Sequence, residues 1–329
     1  MGRVSWARLF GADPSLDNLH RFETSWLLSP TALAGVRALT TLYIFTTIIV
    51  VWAWYGAHDH TSDIGQSFSY FTWLTYWGLG FYHLVATIHT VLYARTGRSV
   101  LLDRWPRFFR VMHIMFYATI TTFPFLVTIV FWGILFKPPF YKEIFPASSY
   151  CCRYYNYDYD YDYSPFIPDR EPISTQSIFF FHPLLTFLTN PHQISQHGLN
   201  SLHALVEIIL PATAPHPWMA IPVLIVLLLL YVSVAYITHA TEGFYTYSFL
   251  DTGVNGSKSG IVTGYCFGIL AAIVIIFLVS WGLIRLRVYL TGDRIKRAAR
   301  DPLRRGQHEF GHATSLRDSS IEMKQASAA

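Results

Sequence analysis

The chain has 329 residues, of which 52% are hydrophobic, 17% aromatic and only 13% charged, with a formal net charge of +4. That balance, with a mean hydropathy of +0.32, excludes an ordinary soluble globular domain and implies an all-α, polytopic membrane protein. No basic patch interleaved with aromatics lies outside the C-terminal tail, which argues against nucleic-acid partners.

Residues 1–32 form a mixed polar arm that lacks the pattern of a cleaved leader, so the first apolar helix is expected to act as an uncleaved signal. A spanning helix needs about 20 apolar residues. Six stretches qualify as candidates: Leu33 to Tyr55, Tyr70 to Tyr93, Phe108 to Phe136, His197 to Leu210, Trp218 to His239, and Gly260 to Tyr289. The fourth is short and polar, so a tilted or re-entrant course is open to it. The bundle is therefore expected to occupy 33–289, with a basic tail over 290–329. Arg3, Arg8 and Arg21, the Arg95–Arg107 loop and the tail carry the positive charge, which orients both termini to the cytosol. Lys137 and Lys142 dissent weakly from that orientation.

Between the third and fourth candidates, 147–193 contains the alternating run Asn156 to Tyr163. Such a low-complexity acidic and aromatic segment cannot pack a core and reads as a disordered, extracytosolic insertion. Translation of a retained intron is an alternative origin. Of the three cysteines, Cys151 and Cys152 are adjacent and Cys266 sits in an apolar run, so no disulfide framework is implied.

Three polar clusters fall on this apolar background. On the fourth candidate helix, His197, Asn200, His203 and Glu207 follow steps of three, three and four, placing four polar groups on one stripe. At membrane depth such a stripe faces the bundle interior or a wet cavity, although polar seams also serve simply to join helices. On the second helix, Thr72, Tyr76 and His83 share a face. A threonine hydroxyl becomes a nucleophile only when a base takes its proton; otherwise it bonds its own helix backbone. The fifth helix ends with His239 and Glu242 in a tyrosine-rich run, which also suits an interfacial anchor. With the assigned orientation, the second and fourth helices begin and the fifth ends on the outer side, so the three clusters fall at one depth and a common cavity is expected. His308-Glu309-Phe310-Gly311-His312 spells a zinc-protease pattern but lies in the basic tail, where no metal site is expected. His83, His113 and His203 could serve as haem ligands, but no repeated spacing pairs them.

In this order the clusters resemble the androgen-induced integral membrane family, which includes the androgen-dependent regulator of tissue factor pathway inhibitor. Ser69-Tyr70-Phe71-Thr72, Gln196-His197-Gly198-Leu199-Asn200 and the run His239 to Asp251 carry the resemblance, which covers Leu33 to Tyr289 apart from the insertion. It implies a membrane hydrolase of fatty-acid esters of hydroxy fatty acids, with Thr72 as nucleophile and no cofactor. The family's catalytic histidine falls on Asn200, and an amide cannot act as a general base. The base is then His197 or His203, or the threonine chemistry is absent.

The resulting expectation is a lipid-ester hydrolase of the endoplasmic reticulum or another endomembrane. Its catalytic group would be Thr72, His197, Asn200 and His203, and its pocket Tyr76, His83, Glu207, His239 and Glu242. Membrane lipids and a lipid ester are the expected partners, and no protein partner is legible. A non-enzymatic lipid-binding or transport protein and a b-type haem protein are the alternatives.

Overall fold

The structure, a computed structural model, describes residues 9–12, 20–57, 60–99, 104–136 and 194–326, with side chains as far as 292. The Tyr/Asp insertion and its proposed disorder lie outside these residues. The described residues are helical, with a single isolated bridge between Ser25 and Pro211.

Helix α1 (Pro30–Ala57) starts where the Ser29 hydroxyl accepts the Ala32 N–H at 3.2 Å, an N-cap that satisfies a donor with no partner inside the helix. It buries Leu33, Arg37, Thr41, Ile44, Ile48, Val51 and Tyr55 at helical spacing and leaves Leu39, Leu42, Ile49 and Val50 exposed. The short α2 (Thr61–Ser67) leads into α3 (Phe71–Thr96), which ends at Gly97 with φ +66°. A left-handed C-terminal residue of this kind favours glycine. A β-carbon on Gly80 of α3 would lie 3.0 Å from the Ile44 methyl, so this glycine sets how closely α1 and α3 approach.

The third sequence candidate is interrupted. Helix α4 (Arg107–Ile120) stops at Thr121-Thr122, and α5 (Phe123–Val130) resumes and runs into a π turn at Phe131–Leu135. Pro124 stands at the start of α5, where its missing N–H costs nothing. The Thr121 and Thr122 hydroxyls donate back to the Tyr117 and Ala118 carbonyls at 2.8 and 2.7 Å. The fourth candidate is a π turn at Ser195–Leu199 followed by α6 (Asn200–Ile209). Together their 5 and 10 residues reach about 22 Å, short of a hydrocarbon core of about 30 Å. Helix α7 (Ala220–Glu242) ends at Gly243, and α8 begins at Ser259. The α8 backbone continues as helix to Ala326, well past the expected end at Tyr289.

Four helical stretches are long and apolar enough to cross a membrane: Pro30–Ala57, Arg107–Leu135, Ala220–Glu242 and Ser259–Gly292. They mark an integral membrane protein. Helix α3 has the length, with 26 residues, but its inward face is rich in Thr, Tyr and His, which lowers its apolar character.

Two apolar centres hold the bundle. One gathers Ile44, Ile48, Leu79, Tyr82, Ile208 and Ile284; the other gathers Leu126, Leu224, Ile273 and Phe277. At one end, residues 20–28 of the N-terminal arm cross the chain that follows α6. Ser25 and Trp26 donate to the Leu210 and Ile209 carbonyls at 2.5 and 2.7 Å, and the Ala212 N–H donates to the Thr24 carbonyl at 2.7 Å.

Candidate functional site

Thr72 is the second residue of α3 and is buried. Its surroundings are fixed by the chain reversal after α7. Gly243, at φ +77°, lets the chain turn back, and Tyr247 then comes to lie with its phenol 3.5 Å from the Thr72 hydroxyl. Tyr231 of α7 donates to the Ser69 carbonyl at 3.2 Å and to the Thr246 hydroxyl at 3.3 Å, and Thr238 donates to the Ser69 hydroxyl at 3.0 Å. These bonds tie the start of α3 to α7 and to the reversing loop. Burial pushes the Tyr247 phenol above its ordinary value, so it remains a neutral donor or acceptor toward Thr72.

Thr72, Tyr231 and Tyr247 line a cavity of about 130 Å³ whose remaining walls are mainly apolar, including Leu126, Val130, Phe131, Leu228, Phe249 and Leu270. The cavity presents hydroxyl groups and otherwise hydrocarbon-like walls, the pattern of a site that grips an apolar ligand and orients it at a few polar points.

Phe131 connects this cavity to the start of α6. It lines the cavity and also stacks on His197, with ring centroids 3.7 Å apart and planes 6° from parallel. The π turn that carries His197 is held by Thr128 and Trp132, which donate to the His197 carbonyl at 2.8 and 3.1 Å. Tyr76, one turn beyond Thr72, shares a hydrogen bond of 2.6 Å with Ser195. The Asn200 carbonyl oxygen accepts from Thr128 at 3.1 Å and from the Ser201 N–H at 2.6 Å, while its amide nitrogen is buried without an acceptor. Single π turns recur at functional sites because they displace one side chain from the regular helical register.

Of the expected residues only Thr72 lines this cavity, so the common cavity expected for the three clusters is not seen; His197 reaches it only through Phe131, and among the described residues the Thr72 hydroxyl bonds Tyr247 and none of His197, Asn200 and His203. The other expected residues lie elsewhere. His203 stands deeper, its ring 5.6 Å from Tyr43 and 6.5 Å from His83. Both ring nitrogens of His83 and the Nε2 of His203 are buried without partners. Glu207 is committed to Arg37: it accepts from the Arg37 Nε at 3.2 Å and from Nη2, and its Oε1 also accepts from Tyr82 at 3.2 Å. His239 stacks on Tyr245 at 3.7 Å, and Glu242 is exposed at the end of α7. His113 stacks on Tyr82 at 5.6 Å and lies 5.3 Å from His89. The residues His308 to His312 lie on the helical backbone of α8, beyond the described side chains. Among the described residues no three His, Cys, Asp or Glu side chains converge as metal ligands.

Comparison with protein-family models, with curated proteins and with solved structures finds no match.

Sequence reasoning did not single out Tyr247, Phe131 or Arg37. A lone arginine inside the first apolar span was the available signal for Arg37, because a buried cation requires a partner and Glu207 is the only acid on α6. Tyr247 and Phe131 sit among many aromatics, and nothing local distinguishes them.

Proposed function

We propose that this integral membrane protein binds an acyl lipid in the Thr72 cavity and hydrolyses its ester bond. One observation carries the reading: a buried threonine hydroxyl stands at the polar margin of an otherwise apolar cavity inside the bundle. The acyl chain would occupy the apolar walls and bring the ester carbonyl to Thr72. The threonine oxygen attacks, its proton passes to the His197 imidazole, and an acyl-threonine forms as the alcohol leaves with that proton. Water then cleaves the acyl-threonine and restores the hydroxyl. The buried Asn200 amide, which has no acceptor, is a ready donor to the developing oxyanion. Phe131, shared between His197 and the cavity, would have to turn aside for the base to reach Thr72. The resemblance to the androgen-induced integral membrane family supports the same chemistry. The accompanying architecture is a bundle of six helical segments with both termini cytosolic, in the endoplasmic reticulum or another endomembrane.

A second reading, a lipid-binding or transport protein without catalysis, is favoured by the direct partner of Thr72, which is the Tyr247 phenol and not an imidazole. Purified full-length protein in detergent, assayed against a panel of long-chain acyl esters and with a fluorophosphonate probe, separates the two. Turnover with labelling at Thr72 supports the hydrolase. Absence of both, together with retained acyl lipid after detergent exchange, supports the binding protein. No turnover, no labelling and no retained lipid overturns both.

A further inference from the structure

Arg287 of α8 is 7% exposed, and its side chain makes no ion pair with a carboxylate among the described residues. Its Nη2 donates to the Thr213 carbonyl and, at 3.3 Å, to the Thr213 hydroxyl. Its Nε and Nη1 are buried and have no acceptor. Three N–H donors of a permanent cation are therefore unsatisfied in a place that water does not reach. Taking a guanidinium out of water costs several kcal/mol even after relaxation, and the cost is normally offset by an anion. Among the described residues the one carboxylate acting on Arg287 is Glu207, and it is already occupied by Arg37 and Tyr82.

The surroundings place Arg287 near one end of the bundle. Arg287 lies near the end of the apolar part of α8, five residues before Gly292, about 7.5 Å along the axis. One to two turns earlier Trp281 packs on Trp218 at 5.3 Å and carries Arg285 over its ring at 5.4 Å. Tryptophans with adjacent arginines are typical of the headgroup level of a bilayer. Thr213 is itself fixed by Tyr117 at 2.6 Å, so the guanidinium is held in place and not free to swing into solvent.

We infer that Arg287, with Thr213, forms a site for a phosphate group at this end of the bundle. A phosphate monoester supplies several strong acceptor oxygens and a full negative charge, enough for both Nε and Nη1. Its source is either an anionic lipid headgroup or free phosphate. Since both nitrogens are shielded, the anion enters by a local rearrangement and is not docked on an open surface.

The test uses full-length protein in detergent, with thermal unfolding measured in dioctanoyl phosphatidic acid, in dioctanoylglycerol as its neutral counterpart, and in inorganic phosphate against chloride at matched ionic strength. Phosphatidic acid well above its dissociation constant is expected to raise Tm by about 3–6 °C, with no rise from the diacylglycerol. Arg287→Gln should lose the shift. Arg287→Lys, which keeps the charge and guards against failure of the Gln variant to fold, should weaken binding about 10-fold or more through loss of the planar donors. A shift from inorganic phosphate equal to that from phosphatidic acid assigns the site to free phosphate. The inference is overturned if neither phosphate source shifts the wild type, or if the shift persists undiminished in whichever of the two variants folds.

Discussion

Arg37 on α1 and Glu207 on α6 form an ion pair in which each side chain is only 1% exposed. The remaining Arg37 donors go to the Phe22 carbonyl at 2.7 Å and the Thr90 hydroxyl at 2.6 Å. One guanidinium thus joins the N-terminal arm, α3 and α6. A buried pair of this kind contributes little when both partners are replaced by well-packed apolar groups, but removing one partner leaves an uncompensated charge.

Glu207→Ala is therefore expected to destabilise the protein by about 3–5 kcal/mol. The double change Arg37→Met with Glu207→Leu should recover most of that loss. Thermal unfolding in detergent checks both, and a double variant no more stable than Glu207→Ala would show that the hydrogen bonds, not the charge balance, dominate.

At the proposed site, Thr72→Ala should abolish ester turnover with little change in Tm. His197→Ala and His203→Ala distinguish the base from the bystander, since loss of a general base lowers the rate by about 100-fold or more. His203, packed among Tyr43 and His83, is expected to affect stability instead of rate.

Tyr247→Phe removes the only hydrogen-bond partner of the Thr72 hydroxyl among the described residues. Turnover should then fall or rise by no more than about 10-fold, while acyl-lipid retention persists, because the phenol positions the nucleophile and leaves the apolar walls intact. Complete loss of retained lipid in this variant would count against the cavity as the acyl site.

The loop after α7 has its own pH dependence. The Asp251 carboxylate accepts from the Gly253 N–H at 2.8 Å and from Lys258 at 3.2 Å. The backbone bond from Gly253 and then the Lys258 contacts hold its pKa below the ordinary carboxylate value. A depressed value means that the contribution is present above the unfolded pKa of about 3.9 and lost as pH falls through the lower folded value. Because the pair is solvent-exposed, Asp251→Asn should cost less than about 1 kcal/mol near neutral pH, and the difference from wild type should shrink as pH falls below the ordinary carboxylate range.

Orientation is open to a direct check. A glycosylation acceptor introduced near Tyr161 should be modified and one near Ser319 should not, as the distribution of arginine and lysine requires. The opposite pattern would place Thr72 and the tail on the reverse sides of the membrane.

The helical class and four of the six expected apolar spans were legible because period and length are local properties. The interruption at Thr121-Thr122 had a local signal in Pro124, but the length of the apolar run concealed it. The polar stripe on α6 was also legible, yet its division was not. Glu207 belongs to an ion pair with Arg37, whereas His197 stacks on Phe131, a wall of the cavity, and that separation depends on Arg37 and Phe131, which come from other helices. A π turn shifts register without any distinctive residue, so the position of His197 relative to α6 could not be read from spacing.

The bonds from Ser25 and Trp26 to residues 210 and 209 span 185 and 183 positions of sequence. During synthesis, the arm emerges first and its acceptors emerge much later. At about 5–20 residues per second, the interval is about 10–40 s, during which Arg37 also lacks Glu207. For that period the nascent chain holds an unpaired cation within its first apolar helix, and anything that delays the arrival of α6 prolongs its exposure to quality control in the membrane.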